Sequence, residues 1–325
     1  MIHRPRRLRT TTAMRELVAD VTLSPSNLML PLFVREGLTE PREIKGMPGV
    51  FQHTEDTFLT VLDEAINTGI VSVMLFAVPN ERDEIGSQSC HPNGILNRVV
   101  AKAKAHVGDR LVIVADLCLD EFTSHGHCGV LAEDGSVDND ATLAHYQDMA
   151  LGLAAAGADL LGTSGMMDGQ VAAIRVVLDA ADFKNTGILA YSAKYASSFY
   201  APFRNAVESQ LDGDRKTYQQ DFRRTREAID EIELDLQEGA DIVMVKPAIA
   251  YLDVVAKAAE ISVKPVAAYI VSGEYSMVEV AAAAGSINRE QTIFELLYAV
   301  KRAGAQIICT YWALEFANKL KERNV

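Results

Sequence analysis

Eight short apolar or β-branched runs punctuate the chain, over 28–34, 71–78, 111–117, 160–164, 188–193, 242–247, 265–271 and 307–311. They lack the polar alternation of a strand with one wet face, so they predict strands buried on both sides. Between most of them apolar residues recur at helical spacing, as over 142–156 behind the capping candidates Asn139 and Asp140, and over 223–237, 252–259 and 290–303. Several helices end on a glycine that leads at once into the next strand: Thr68-Gly69-Ile70, Ala156-Gly157-Ala158-Asp159, Glu238-Gly239-Ala240-Asp241 and Ala303-Gly304-Ala305-Gln306. A glycine there supplies the left-handed residue that closes a helix. Strand and helix thus alternate in an α/β chain with a parallel sheet. Eight such units without a glycine-rich dinucleotide fingerprint favour a closed (β/α)8 TIM barrel over an open doubly wound sheet. The expected layout is an N-terminal arm over 1–25 and one barrel over 26–325, with a lid at about 197–222 in the long interval between the fifth and sixth strands.

Barrel active sites lie at the carboxyl ends of the strands. Reading those ends gives Asp116, Ser164, Lys194, Lys246, Ser272 and Tyr311. A lysine carried out of a buried strand into a cleft loses hydration, and its amine becomes a usable nucleophile near neutral pH. Either Lys194 or Lys246 alone reads equally well as an ordinary strand-end charge. On neighbouring strands the two suggest carbonyl chemistry through Schiff bases. Asp116 to Gly129 packs thiols, imidazoles and carboxylates into one loop, in which Cys118, Asp120 and Cys128 make a three-ligand metal set and His125 and His127 read as supporting loop residues. Two thiolates favour zinc over magnesium; the alternative is a structural loop with free cysteines. In the lid, Arg204 and Arg215 either hold a carboxylate by forked hydrogen bonds or pair with surplus surface acids.

Composition narrows the function. In 325 residues, 49% are hydrophobic and 23% charged, as in a globular chain with a substantial core. A net charge of -13 argues against a nucleic-acid binder and requires local positive charge wherever an anionic substrate is held. Arg4 to Arg9 form the one basic cluster, read as a solvated or subunit-contacting arm in preference to a nucleic-acid arm. No apolar stretch follows those charges and no run approaches bilayer length, so the chain is expected in the cytoplasm, with no membrane partner. Four cysteines are too few for a disulfide scaffold.

The segments Ser192-Ala-Lys194-Tyr-Ala-Ser-Ser-Phe-Tyr200, Met244-Val-Lys246-Pro-Ala248, Gly213-Asp-Arg-Lys-Thr-Tyr-Gln219 and Ser272-Gly-Glu-Tyr275 resemble the porphobilinogen synthase (5-aminolevulinate dehydratase) family, and the resemblance runs over almost the whole chain. It implies a hydro-lyase that condenses two 5-aminolevulinate molecules to porphobilinogen in tetrapyrrole (haem) biosynthesis. By analogy Lys246 holds the first substrate and Lys194 the second. Arg204, Arg215 and Gln219 would bind one carboxylate, Ser272 and Tyr311 the other, while Asp116 and Ser164 line the site near the amines and Asp116 assists proton transfer. The family's zinc-dependent pattern has three cysteines in the metal loop, and its zinc-independent pattern has alanine and aspartates. Cys118, Asp120 and Cys128 are a hybrid, implying an active-site Zn2+ with mixed sulfur and oxygen ligation. Smaller departures are Gly162-Thr-Ser164-Gly165, without the usual proline, and Ala201 in place of a common glycine. The resemblance further implies an allosteric Mg2+ at Glu231 and a homo-octamer assembled through the arm. A class I aldolase, the nearest mechanistic rival, normally needs one reactive lysine and no thiolate loop.

Overall fold

In the computed structural model, which describes residues 2–211 and 213–323, the eight apolar runs become eight parallel strands of one closed barrel. They are β1 (Leu28–Arg35), β4 (Ser72–Val78), β5 (Val112–Leu117), β6 (Leu160–Thr163), β7 (Gly187–Lys194), β8 (Ile242–Lys246), β9 (Val266–Tyr269) and β10 (Ile307–Cys309). The pairing of β1 with β10, Leu28 to Ile308 and Met29 to Cys309, closes the ring. A short ribbon, β2 (Arg42–Glu43) with β3 (Phe51–His53), is added beside β1 and was not foreseen. All seven residues of β4 and the first seven of β1 are buried, as expected for strands covered by side chains within and helices without.

The surrounding helices are α2 (Thr57–Thr68), α3 (Ile95–Val107), α4 (Asn139–Ala156), α5 (Gln170–Ala180), α7 (Thr225–Glu238), α8 (Leu252–Ile261), α10 (Arg289–Arg302) and α11 (Ala313–Arg323); α9 (Ser272–Ala283) follows β9 directly. The cap of α4 is a correction: Asp138, not Asn139 or Asp140, accepts the Ala141 N–H. Gly157 and Gly239 close α4 and α7 at φ of +100° and +107°. Each is followed by Ala-Asp, and the aspartate carboxylates accept the Ile113 and Ile188 N–H groups of neighbouring strands, at 2.8 and 2.9 Å. This repeated junction fixes the amino-terminal rim of the barrel and leaves the carboxyl rim for chemistry.

The N-terminal segment forms a short 3-10 turn (Pro5–Arg9) and α1 (Thr12–Leu17), neither with a buried residue. Ile2, Leu8 and Leu17 are exposed on it. No helix among the described residues is long and apolar enough to cross a membrane.

Candidate active site

Lys194 and Lys246 are paired in register across β7 and β8, and each is 5% exposed. Equal register on adjacent parallel strands puts both side chains on one face. That face is the barrel interior. Both ammonium nitrogens lie over the Tyr191 ring, at 5.7 and 5.1 Å from its centroid, and the Tyr191 hydroxyl reaches across to Met74 Sδ on β4 at 2.9 Å. Lys194 lies three positions after Tyr191, a spacing that in a regular strand points opposite ways. A bulge between Ala190 and Ala193 adds the extra residue that turns Lys194 inward.

Lys194 Nζ donates to the Ser164 carbonyl, and Ser164 Oγ donates to Asp116 Oδ2 at 3.2 Å. Lys246 is enclosed by the rings of Tyr191, Tyr200, Phe203 and Tyr269, the last only 4.4 Å from Nζ. Burial first, and the Lys194 charge second, bring the Lys246 amine down to about 8. Burial, reinforced by the Asp120 charge and opposed by the lysines, lifts the Asp116 carboxyl to about 7. A base and an acid are therefore both poised near neutrality in one cavity of about 620 Å³.

Beside them Cys118, Asp120 and Cys128 are all buried, with ligand atoms within 4.8 Å of one another. Burial holds the Cys118 thiol well above its ordinary value. Burial also opposes ionisation of Cys128, but the Cys118 thiol donating to it and the Arg215 guanidinium bring it down to about 7. Two sulfurs and a carboxylate converging in this way fit a metal ion with a fourth position open. His125 and His127 turn elsewhere, to the Glu84 carbonyl and the Tyr218 hydroxyl.

The interval after β7 folds over this rim through Ser198–Tyr200 and α6 (Ala201–Ala206); residue 212 of the expected lid lies outside the described residues. Arg215 Nη2 donates to Asp120 Oδ2 and to the Gly126 carbonyl, both at 2.8 Å. Gly126 adopts φ +70°, and a Cβ there would meet Leu211 N at 2.5 Å, so only glycine lets the loop of Cys118 to Cys128 pass this close to the segment after α6. Gln219 lines the cavity with its Nε2 buried and unpartnered, and Arg204 stands exposed at the mouth with no side-chain hydrogen bond or ion pair among the described residues. Arg82 joins the Cys118 to Cys128 loop to the end of α6: its guanidinium donates to the Glu121, Val207 and Glu208 carbonyls at 2.7 to 2.9 Å.

Ser272 and Tyr311 do not open on this cavity. Ser272 is fully buried, accepting the Phe203 N–H at 2.9 Å and donating to the Phe199 carbonyl. The Tyr311 hydroxyl meets that of Tyr269 at 3.1 Å, while Phe203 packs edge-on against Phe33 and Phe76 over the same end. Glu231 lies elsewhere again, on α7, in a surface hollow shared with Asp168, Glu227 and residues 216–221. Burial, with the charges of Asp168 and Glu227, raises its carboxyl to about 7.

Two acids escaped the sequence reading. Glu121, one of the carboxylates of the Asp116 to Gly129 loop, is buried with Oε1 unpartnered and forms a second oxygen-rich grouping with Asp116 and Asp120. Glu274 is fully buried and accepts the N–H groups of Val271, Ala248, Ile249 and Ala250, thereby fixing the turn that follows Lys246. A glutamate at the third position of a helix was its signal, because that is where a carboxylate folds back on the helix start.

Comparison with known proteins fits this geometry. The family described as delta-aminolevulinic acid dehydratase matches residues 2–319. The chain is 56% identical to the delta-aminolevulinic acid dehydratase of Streptomyces coelicolor, over 98% of this chain and 97% of that protein. It is 55% identical to that of Mycobacterium tuberculosis, over the same shares. The crystal structure of the Toxoplasma gondii enzyme in complex with its reaction product porphobilinogen superposes with a TM-score of 0.96 at 43% identity, covering 99% of this chain and 92% of that one. Likeness of this extent, in sequence and in fold together, leaves no part of the barrel unaccounted for: the chain belongs to the delta-aminolevulinic acid dehydratase family.

Proposed function

We propose that this chain condenses two 5-aminolevulinate molecules into porphobilinogen and two waters, with Lys246 carrying the first substrate and Lys194 the second, each as a Schiff base. The register pairing of two buried lysines in one cavity is the observation that carries this reading. Each neutral amine adds to a substrate ketone and expels its oxygen as water. The protonated imine then makes the adjacent carbon acidic, and Asp116 takes that proton and passes it on through Ser164, a role supported by the Ser164 Oγ to Asp116 Oδ2 hydrogen bond. One new carbon–carbon bond and one new carbon–nitrogen bond close the pyrrole, and both lysines are released.

Arg204, Arg215 and Gln219 hold the carboxylate of the substrate on Lys194, and the unpartnered donors Arg215 Nε and Gln219 Nε2 support that role. Ser272 and Tyr311 receive the other carboxylate once the lid residue Phe203 withdraws from Ser272. Cys118, Asp120 and Cys128 would hold a zinc ion, which when bound would supply Lewis-acid chemistry on the second substrate's side of the cavity. Glu231 contributes to an Mg2+ site whose hollow touches the lid. The exposed arm, with Leu8 and Leu17 uncovered, serves assembly of a homo-octamer in the cytoplasm.

The test is pyrrole formation from 5-aminolevulinate with and without chelator and added Zn2+ or Mg2+. Pyrrole in the metal-loaded protein is expected, and none under any metal condition removes the proposal. Borohydride trapping and peptide mapping should mark Lys246 and Lys194; label at neither removes the mechanism. Activity that survives both zinc removal and Cys118→Ser would show the loop to be no catalytic metal site.

A further inference from the structure

Arg215 is committed twice. It is the lid cation assigned above to a substrate carboxylate, yet its Nη2 is taken by Asp120 Oδ2 at 2.8 Å and by the Gly126 carbonyl at 2.8 Å. Both side chains of the ion pair are nearly dry, at 13% and 6% exposure. Asp120 is committed twice as well, because its carboxylate is also one of the three converging metal ligands. A divalent cation between Cys118, Asp120 and Cys128 takes up the charge that now holds Arg215 and repels the guanidinium in a poorly screened site. The guanidinium, left with only the neutral Gly126 carbonyl, then turns its fork toward the cavity that Arg215 and Gln219 both line, Arg215 Nε and Gln219 Nε2 having no partner at present.

We infer that Asp120 is an exchange residue: it holds Arg215 in the metal-free protein and hands it to the substrate carboxylate when a divalent metal binds, so metal and the Lys194-side carboxylate bind with positive coupling. This rests on the proposed metal and carboxylate roles and adds a coupling between them. The carboxylate at position 120 makes it possible. It offers a charged two-oxygen acceptor to a guanidinium and a hard ligand to a metal, and the two demands compete for the same charge.

The probe is 4-oxopentanoate, a keto acid that forms a Schiff base but lacks the amine needed to close a pyrrole. Zinc affinity is measured by competition with a chromophoric chelator, with and without 4-oxopentanoate. The half-saturating 4-oxopentanoate for borohydride trapping at Lys194 is measured with and without zinc. Linkage requires the two constants to change by one factor, expected between about 5- and 150-fold. In Asp120→Asn the factor should fall to within about twofold of unity, the margin for independent sites. The metal-free Asp120→Asn protein should also be trapped at lower 4-oxopentanoate than metal-free wild type, a readout that survives even if the variant no longer retains zinc. Equal zinc affinity with and without the keto acid in wild type overturns the inference, and so does undiminished coupling in the variant, or unchanged trapping of its metal-free form. These results would mean that one carboxylate bridges metal and Arg215 together. Absence of trapping at both lysines removes the Schiff-base reading itself, whereas normal trapping without coupling removes only the exchange.

Discussion

The amine of Lys246 should titrate far below an ordinary lysine, and the consequence can be measured directly. Burial and the neighbouring Lys194 bring it from 10.5 to about 8. At pH 7 about a tenth of Lys246 is then the neutral nucleophile, against about one in 3,000 for an unperturbed lysine, a gain of about 300-fold in reactive form. The assay is the rate of borohydride trapping of 4-oxopentanoate on Lys246, followed by peptide mapping from pH 6 to 10. The rate should climb about tenfold per pH unit below 7 and level off just above 8. Lys194→Gln keeps a donor for the Ser164 carbonyl but removes the second cation. Because Lys194 lowers the Lys246 value, the midpoint should move up in this variant, yet stay below 10.5 because burial is the larger cause. A wild-type rate still rising tenfold per unit at pH 10 would refute the reasoning, as would a midpoint that falls in Lys194→Gln.

Further outcomes follow from the same contacts. For a base whose folded value is depressed, the unfolded chain binds more protons between pH 8 and 10.5, so the penalty is full below about 8 and vanishes above 10.5. Lys246→Met should therefore abolish pyrrole formation while raising stability by about 3 kcal/mol at pH 7, a gain that shrinks toward pH 10.5; urea denaturation at both pH values checks it. Glu274→Ala leaves the Ala248, Ile249 and Ala250 N–H groups without their acceptor. It should cost at least about 3 kcal/mol and slow trapping at Lys246 more than at Lys194; equal slowing at both lysines would deny Glu274 a positioning role. Since the Glu231 carboxyl sits near 7, Mg2+ stimulation should strengthen as pH rises through that value and disappear in Glu231→Gln; an unchanged response in the variant moves the site elsewhere.

The barrel was legible because its signals are local and repeated. Runs buried on both faces need no alternation, and a helix-closing glycine followed by Ala-Asp appears twice with the same job, at Gly157 and Gly239. The strand ends, foretold to within two residues, therefore fell on the correct rim. The cap of α4 was misplaced by one or two residues because Asp138, Asn139 and Asp140 are all competent acceptors, and only the backbone angle at Asp138 decides among them.

The site was legible in its residue types and illegible in its contacts, for a physical reason. Lys194 and Tyr191 share a face only because of one inserted residue in β7, and a period of two gives no warning of a bulge. The ring of Phe203 over the Lys246 end and the pairing of Arg215 with Asp120 both arise from how a loop drapes over the rim, 95 positions separating the two partners of the ion pair. Loop closure over such distances is set by packing and charge in the finished fold, and no neighbouring residue encodes it. A motif can thus report that an arginine and an aspartate are present. That the aspartate holds this particular arginine, while Arg204 stands exposed at the same cavity, is information that exists only in three dimensions, and on the exchange inferred above it decides when Arg215 can join Arg204 in facing a substrate carboxylate.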